Sequence, residues 1–177
     1  MSTAAGIEVR RARTGDVPAV RALVDQNTHD RRLLGKATVT LYEDVQEFWV
    51  AETPAGRGEG AGAVVGCGAL HVLWADLAEV RTLAVDAGHR GRGVGHALLA
   101  RLLDHAAELG VDRVFCLTFE TAFFARHGFA PIAEDLVDRG VHAELLQSLD
   151  EGVAEFLDLA RVRPNTLGNT RMLRRLR

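Results

Sequence analysis

The six residues Arg90-Gly91-Arg92-Gly93-Val94-Gly95 constrain this chain more than any other segment. They lie between a β-like run, Leu83-Ala84-Val85, and an apolar-striped segment from Ala97 to Leu109. A strand that enters a helix through a glycine-dense turn presents bare backbone N–H groups at the helix N-terminus. Those groups and the helix dipole favour an anion, and Arg90 and Arg92 add two fixed positive charges. Glycine, lacking a Cβ, lets a phosphate oxygen come close to the main chain. The turn therefore predicts a phosphate-bearing ligand on a strand–turn–helix unit.

The register of the glycines narrows the ligand. A dinucleotide fingerprint needs G-x-G-x-x-G, but three residues beyond Gly95 lies Leu98, and the register from Gly91 reaches His96. A P-loop needs a Lys-Ser or Lys-Thr pair after a glycine, and none is present. What fits is R-x-x-G-x-G, as Arg90, Gly93 and Gly95. This resembles the pyrophosphate-binding loop of the GNAT superfamily of acetyl-CoA-dependent N-acetyltransferases. A tight strand–helix turn with no ligand is the plainer alternative.

The rest of the chain sets this turn in an α/β order. Ile7–Ala12 reads as a strand, and Thr14 or Asp16 can cap a helix carrying Val17, Val20 and Val24, with Pro18 tolerated in its first turn. The polar stretch Asn27–Arg32 breaks that pattern. Thr38–Gln46 reads as a short helix with Val39, Tyr42 and Val45 inward. Phe48–Ala51 is a strand, and Thr53–Gly62 a hairpin-like loop. Val64–Val72 and Leu77–Val85 are further strands. The helix after the turn places Leu98, Leu99, Leu102, Leu103, Ala106 and Leu109 on one face and ends at Gly110. Arg113–Leu117 is a strand, Thr121–His127 a short helix closed by Gly128, and Phe129–Ile132 a return to the sheet. Val141–Leu149 reads as a helix, Val153–Val162 as helix or strand, and Met172-Leu173 as the start of a last edge strand. The sum is a mixed, mostly antiparallel sheet flanked by helices, an α/β (α+β layered) class.

At 177 residues, one domain over 1–177 is expected, with a core near 7–132 and a C-terminal extension near 133–177. No run of eighteen apolar residues predicts a membrane span, and Met1–Ile7 lacks a secretory pattern, so a cytoplasmic protein is expected. A net charge of −3 argues against general nucleic-acid affinity. The tail arginines Arg161, Arg163, Arg171, Arg174, Arg175 and Arg177 read mostly as a solvated basic terminus. Cys67 and Cys116 sit in apolar runs and read as buried, reduced thiols. The histidines form no metal-ligand spacing, so no metal is expected, and no G-x-S-x-G elbow supports a hydrolase.

A sharper resemblance comes from four dispersed segments in order. These are Val65-Gly66-Cys67-Gly68-Ala69-Leu70, then Glu79-Val80-Arg81-Thr82-Leu83-Ala84-Val85. Leu117-Thr118 follows, with Thr121-Ala122, Phe124 and Gly128-Phe129, and then Asn169-Thr170-Arg171-Met172-Leu173. Together they resemble the acetyltransferase part of N-acetylglutamate synthases. This implies a GNAT fold and a short, single-domain form without the kinase-like domain of long members. It implies acetyl-CoA as cosubstrate and L-glutamate as acceptor, the first step of arginine biosynthesis. A homodimer is among the assemblies left open.

The chemistry needs a neutral amine, a polarised thioester carbonyl and a thiolate that can leave. A free α-amine sits about two pKa units above neutrality, so its deprotonation costs roughly 3 kcal/mol. A carboxylate on the fourth strand can take that proton directly or through water, and Glu79 is the candidate base. Strand alternation would set Glu79, Arg81 and Leu83 on one face. By resemblance, the amides of Leu83, Ala84 and Val85 pair with the pantetheine arm and polarise the carbonyl. The pyrophosphate falls to Arg90, Gly91, Arg92, Gly93, Val94 and Gly95.

Many GNAT enzymes carry a tyrosine acid where this chain has Phe124, which cannot donate. Thr118 is a substitute, or a strand threonine packed by its methyl. The resemblance puts Lys36, Arg81, Thr82 and Arg171 at the acceptor, with Lys36 and Arg171 each suited to a carboxylate. The alternatives are a solvated Lys36 and an Arg81 that merely pairs with Glu79. The reaction is expected to be direct attack in a ternary complex. Other readings are a GNAT for another amine (glutamine, another amino acid, a peptide N-terminus or lysine) or a non-catalytic acetyl-CoA sensor.

Overall fold

The computed structural model describes residues 6–28, 36–54, 62–133, 135–159 and 168–177. Among the described residues, seven strands run in the order β1-β2-β3-β4-β5-β7-β6: β1 Glu8–Arg11, β2 Phe48–Glu52, β3 Val64–Trp74, β4 Leu77–Val85, β5 Arg113–Thr118, β6 Ala130–Pro131 and β7 Thr170–Arg175. The helices are α1 Val17–Thr28, α2 Thr38–Glu43, α3 Val94–Glu108, α4 Thr121–Ala125, α5 Arg139–Leu145 and α6 Glu151–Phe156. This is the α/β order expected from the sequence, and β4–β5 is a parallel pair. The chain divides into two compact units. One comprises Met1–His71 with Val80–Glu108, the other Val72–Glu79 with Leu109–Arg177.

In the first unit, β1 pairs with β2 and β2 with β3, both antiparallel. Val17, Val20, Leu23 and Val24 recur at helical spacing on α1 and are buried with Phe48, Val50, Cys67 and Ala84. The glycines of β3 seat α3. A Cβ on Gly66 would meet Leu98 at 2.9 Å and Val94 at 3.0 Å, and one on Gly68 would meet Leu83 at 2.9 Å and Leu102 at 3.0 Å. The helix therefore lies directly on backbone, and Leu98, Leu99 and Leu102 are buried as expected. Gly110 closes the helix at φ +82°.

In the second unit, β5 pairs with β7 and β7 with β6, both antiparallel. Leu77, Phe115, Leu136, Leu145, Val153, Phe156 and Leu173 are buried together, and α5 and α6 supply Leu145, Val153 and Phe156. Aspartates begin both helices: Asp138 accepts from the Val141 N–H and Asp150 from the Val153 N–H, each at 2.9 Å.

Several sequence expectations are corrected. Val39 and Tyr42 are 61% and 46% exposed, and Leu41 is the buried residue of α2. The helix stops at Glu43 and a 3-10 turn, Val45–Glu47, follows, so a single helical phase over Thr38–Gln46 does not exist. Leu109 lies beyond the last turn of α3 and is exposed. The helix expected at Val141–Leu149 is Arg139–Leu145, leaving Leu149 in solvent. Met172-Leu173 belongs to an interior strand, because β6 covers β7 on its outer side. The polar stretch after Thr28, most of the Thr53–Gly62 loop, the end of Val153–Val162, and Arg161 and Arg163 lie outside the described residues.

Candidate active site

The turn between β4 and α3 has the backbone its glycines predict. Gly91 and Gly93 stand at φ +74° and +83°, where a side chain is strained. The first bond of α3 runs from the Ala97 N–H to the Gly93 carbonyl at 3.0 Å. The amides of Val94, Gly95 and His96 accordingly have no acceptor within the helix, and the positive end of a 15-residue helix dipole sits there. Arg92 is exposed beside them. Arg90 instead ties the turn to α1: its guanidinium donates to Asn27 Oδ1 at 2.9 Å. Asn27 is buried and donates to the Leu23 carbonyl at 2.8 Å. Before the turn, Asp86 accepts from Gly88 N–H and pairs with His89, which holds its carboxyl below the usual range.

On β4, Thr82 adopts φ 56°, a left-handed conformation rare for a threonine. The strict alternation that would align Glu79, Arg81 and Leu83 is therefore interrupted between Arg81 and Leu83. The Cys67 thiol donates to the Thr82 carbonyl at 3.6 Å. Burial pushes that thiol up to about 12, so it is inert packing. Thr82 and Ala84 are buried, while Leu83 and Val85 are half-buried.

Lys36 and Arg81 both face carboxylates of the first unit. Lys36 Nζ lies 3.9 Å from Asp44 Oδ2, and Arg81 lies 3.8 Å from Glu47 Oε2. Glu47 also holds His71 Nδ1 at 2.7 Å.

In the second unit, Glu79 is a carboxylate only 4% exposed on the sheet. It is in register with Phe115, and Leu117 is in register with Arg171. Registered partners share a face, as do residues two apart on a strand, so Glu79, Phe115, Leu117 and Arg171 lie on one face. The field of Glu79 reaches both neighbours. It adds to the burial that raises the Cys116 thiol, and it helps oppose the burial that lowers Arg171. Asp135 and Asp158 oppose that lowering too.

Arg171 donates to the Phe156 carbonyl at 2.5 Å and stacks 5.0 Å above the Phe156 ring. It lines a cavity of about 370 Å³ together with Asp135, His142, Phe156 and Asp158. Thr118 is buried, and its hydroxyl oxygen accepts from the Glu120 N–H at 2.9 Å, which leaves the hydroxyl proton available to donate. Phe124 is core: its ring meets Phe123 and Phe129 edge-on at 5.2 and 5.3 Å.

Sequence reasoning missed Asn27, Asp44 and Glu47. Asn27 had a signal, since it continues the buried row of Val20, Leu23 and Val24 on α1. Glu47 had none, because the 3-10 turn that aims it breaks the helical phase.

The sequence pattern of the acetyltransferase (GNAT) family matches residues 19–129. An amino-acid acetyltransferase of Mycobacterium tuberculosis is 59% identical over 165 residues, covering 93% of this chain and 92% of that protein. A crystal structure from Mycobacterium tuberculosis, in complex with CoA and a second ligand, superposes with a TM-score of 0.89 at 58% identity, covering 96% of this chain and 99% of the other. N-acetylglutamate synthase of Neisseria gonorrhoeae, complexed with CoA and N-acetyl-glutamate, superposes at 0.75 with 28% identity, covering 97% of this chain but 35% of the synthase. No helix among the described residues is long and apolar enough to cross a membrane.

Proposed function

The chain belongs to the acetyltransferase (GNAT) family, and on that premise we propose that it acetylates the α-amine of a free amino acid, L-glutamate, with acetyl-CoA as donor. One observation carries the acceptor side of this reading. A buried carboxylate, Glu79, and a half-buried guanidinium, Arg171, share one sheet face, and Arg171 opens on a cavity of amino-acid size. The likeness to an amino-acid acetyltransferase at 59% identity supports the same choice.

In this reading the donor is held by backbone. The α3 amides and Arg92 take the pyrophosphate, and the Leu83–Val85 backbone takes the pantetheine arm and polarises the thioester carbonyl. The amine nitrogen attacks that carbonyl in a ternary complex; the C–N bond forms and the C–S bond breaks. Glu79 accepts the amine proton and the CoA thiolate leaves, with Thr118 donating a proton to it as the hydroxyl regains one from water. Lys36, Arg81, Thr82 and Arg171 recognise the acceptor. The reaction is cytoplasmic and yields N-acetyl-L-glutamate, the entry to arginine biosynthesis.

A second acceptor has an observation in its favour. Asp135, Asp158 and Glu79 all act on Arg171, so its surroundings are rich in negative charge. That setting tolerates the neutral amide of glutamine better than a second carboxylate. Thiol release from acetyl-CoA, followed for each free amino acid and for a short peptide, tests the proposal. Turnover with glutamate or glutamine is expected. Turnover with the peptide alone would reject a free amino acid as acceptor.

A further inference from the structure

Asn27 stands in the last turn of α1 and is only 4% exposed, although asparagine is ordinarily a surface residue. Its amide is engaged at both ends. Nδ2 donates to the Leu23 carbonyl at 2.8 Å, and Oδ1 accepts from the Arg90 guanidinium at 2.9 Å. The first bond fixes which way the amide faces, so its oxygen points at Arg90. Val20, Leu23 and Val24 bury the same helix in the core, which makes α1 a firm anchor. The turn itself is loosely packed. Arg90, Gly91 and Arg92 are exposed, Gly91 and Gly93 stand at positive φ, and a Cβ on Gly91 would meet nothing within 4 Å. A glycine-rich stretch of this kind loses much conformational freedom when it is ordered around a ligand. A neutral partner suits Arg90 here. An aspartate at position 27 would pair off the guanidinium charge, whereas the amide orients it and leaves it positive. The nearby carboxylate, Asp86, is hydrogen-bonded to the Gly88 N–H and His89 instead.

Building on the reading that the β4–α3 turn takes the CoA pyrophosphate, we propose that Asn27 is a positioning residue for the donor. It acts through Arg90 and not on the donor itself. The Asn27–Arg90 tie moors the turn to α1, so the turn is already ordered when the pyrophosphate arrives. The same tie keeps a positive charge on the turn without neutralising it.

Calorimetry with CoA tests this on wild type, Asn27→Ala, Arg90→Ala and the double variant, with Gly93→Val as the reference for a damaged turn. Asn27→Ala is expected to raise the CoA Kd about three- to tenfold, the loss of one hydrogen bond to a charged group. With glutamate or glutamine as acceptor, KM for acetyl-CoA should rise by a similar factor while kcat stays within about twofold. The double variant should bind no more weakly than Arg90→Ala alone, because the two residues act as one unit. Amide hydrogen exchange in the CoA-free protein should quicken severalfold over residues 90–96 and keep the wild-type rate over residues 17–24. A merely structural asparagine would loosen α1 instead.

A wild-type CoA Kd in Asn27→Ala, additive losses in the double variant, or faster exchange spread through α1 would overturn the inference. So would a fallen kcat with KM unchanged. Arg90 is exposed, so if Asn27→Ala does not fold, Arg90→Ala decides by its own Kd and by exchange over residues 90–96. A wild type without CoA affinity, or Gly93→Val binding CoA as tightly as wild type, defeats the donor reading of the turn. Gly93→Val weakened with Asn27→Ala unaffected defeats the tie alone.

Discussion

In the proposed reaction, the β4–α3 turn and the face bearing Glu79 and Arg171 would serve their ligands by opposite means. The turn works with main chain: two left-handed glycines, the first-turn amides of α3 and a helix seated on glycine backbone. The Glu79 face works with side chains, a buried acid and a guanidinium whose charge state burial and three neighbouring carboxylates set. A backbone site recognises what all donors of a class share, here a phosphate. A side-chain site discriminates one acceptor from another. Donor and acceptor recognition can therefore be damaged separately.

The largest effect should come from the acceptor half. Glu79→Gln is expected to lower kcat about a hundred- to a thousandfold near neutral pH, with partial recovery as rising pH deprotonates the amine in solution. CoA affinity by calorimetry should not change, and a parallel loss of CoA binding would collapse the distinction between the halves. Next comes the backbone half. Gly93→Val forces a β-branched residue into φ +83° and should weaken CoA binding about ten- to a hundredfold, as expected for 1–3 kcal/mol of backbone strain. Ordinary CoA affinity in this variant would show that the turn is only a connection.

The smallest effect concerns α3 at its far end and leaves both ligands alone. Arg11, which can only donate, meets His105 Nε2 at 3.0 Å, so that nitrogen is an acceptor and the ring is neutral. Its Nδ1–H then points to Glu108 at 3.2 Å. Burial, with help from Arg11 and Arg101, holds the folded imidazole below its ordinary value. The unfolded chain thus binds this proton more readily. The contribution is complete above the ordinary histidine value and is lost as pH falls through the lower folded one. Urea unfolding at pH 7.5 and pH 5.5 should show wild type losing stability in acid, with a smaller loss in His105→Gln.

The backbone of the β4–α3 turn was legible in the sequence because its signals are local. A glycine needed at positive φ and a helix stripe such as Leu98, Leu99 and Leu102 are written within a few residues. The face bearing Glu79 and Arg171 was legible only by resemblance, since the pairing of β4, β5 and β7 brings both residues to it. No local rule states that pairing. Val39 and Tyr42 were misplaced for a related reason: a six-residue helix is too short for its pattern to outweigh tertiary packing, and Leu41 is the side chain that turns inward. Glu47 was invisible because a 3-10 turn, not a helix phase, sets its direction.

The most direct test is a competition in one vessel. Isotopically labelled acetyl-CoA is supplied with equal concentrations of glutamate, glutamine and a peptide beginning with glutamate, and the labelled products are identified by mass spectrometry. Acetylation of a free amino acid predicts labelled N-acetyl amino acid, with glutamate leading, and little labelled peptide. Label on the peptide alone, or on none of the three, would contradict it.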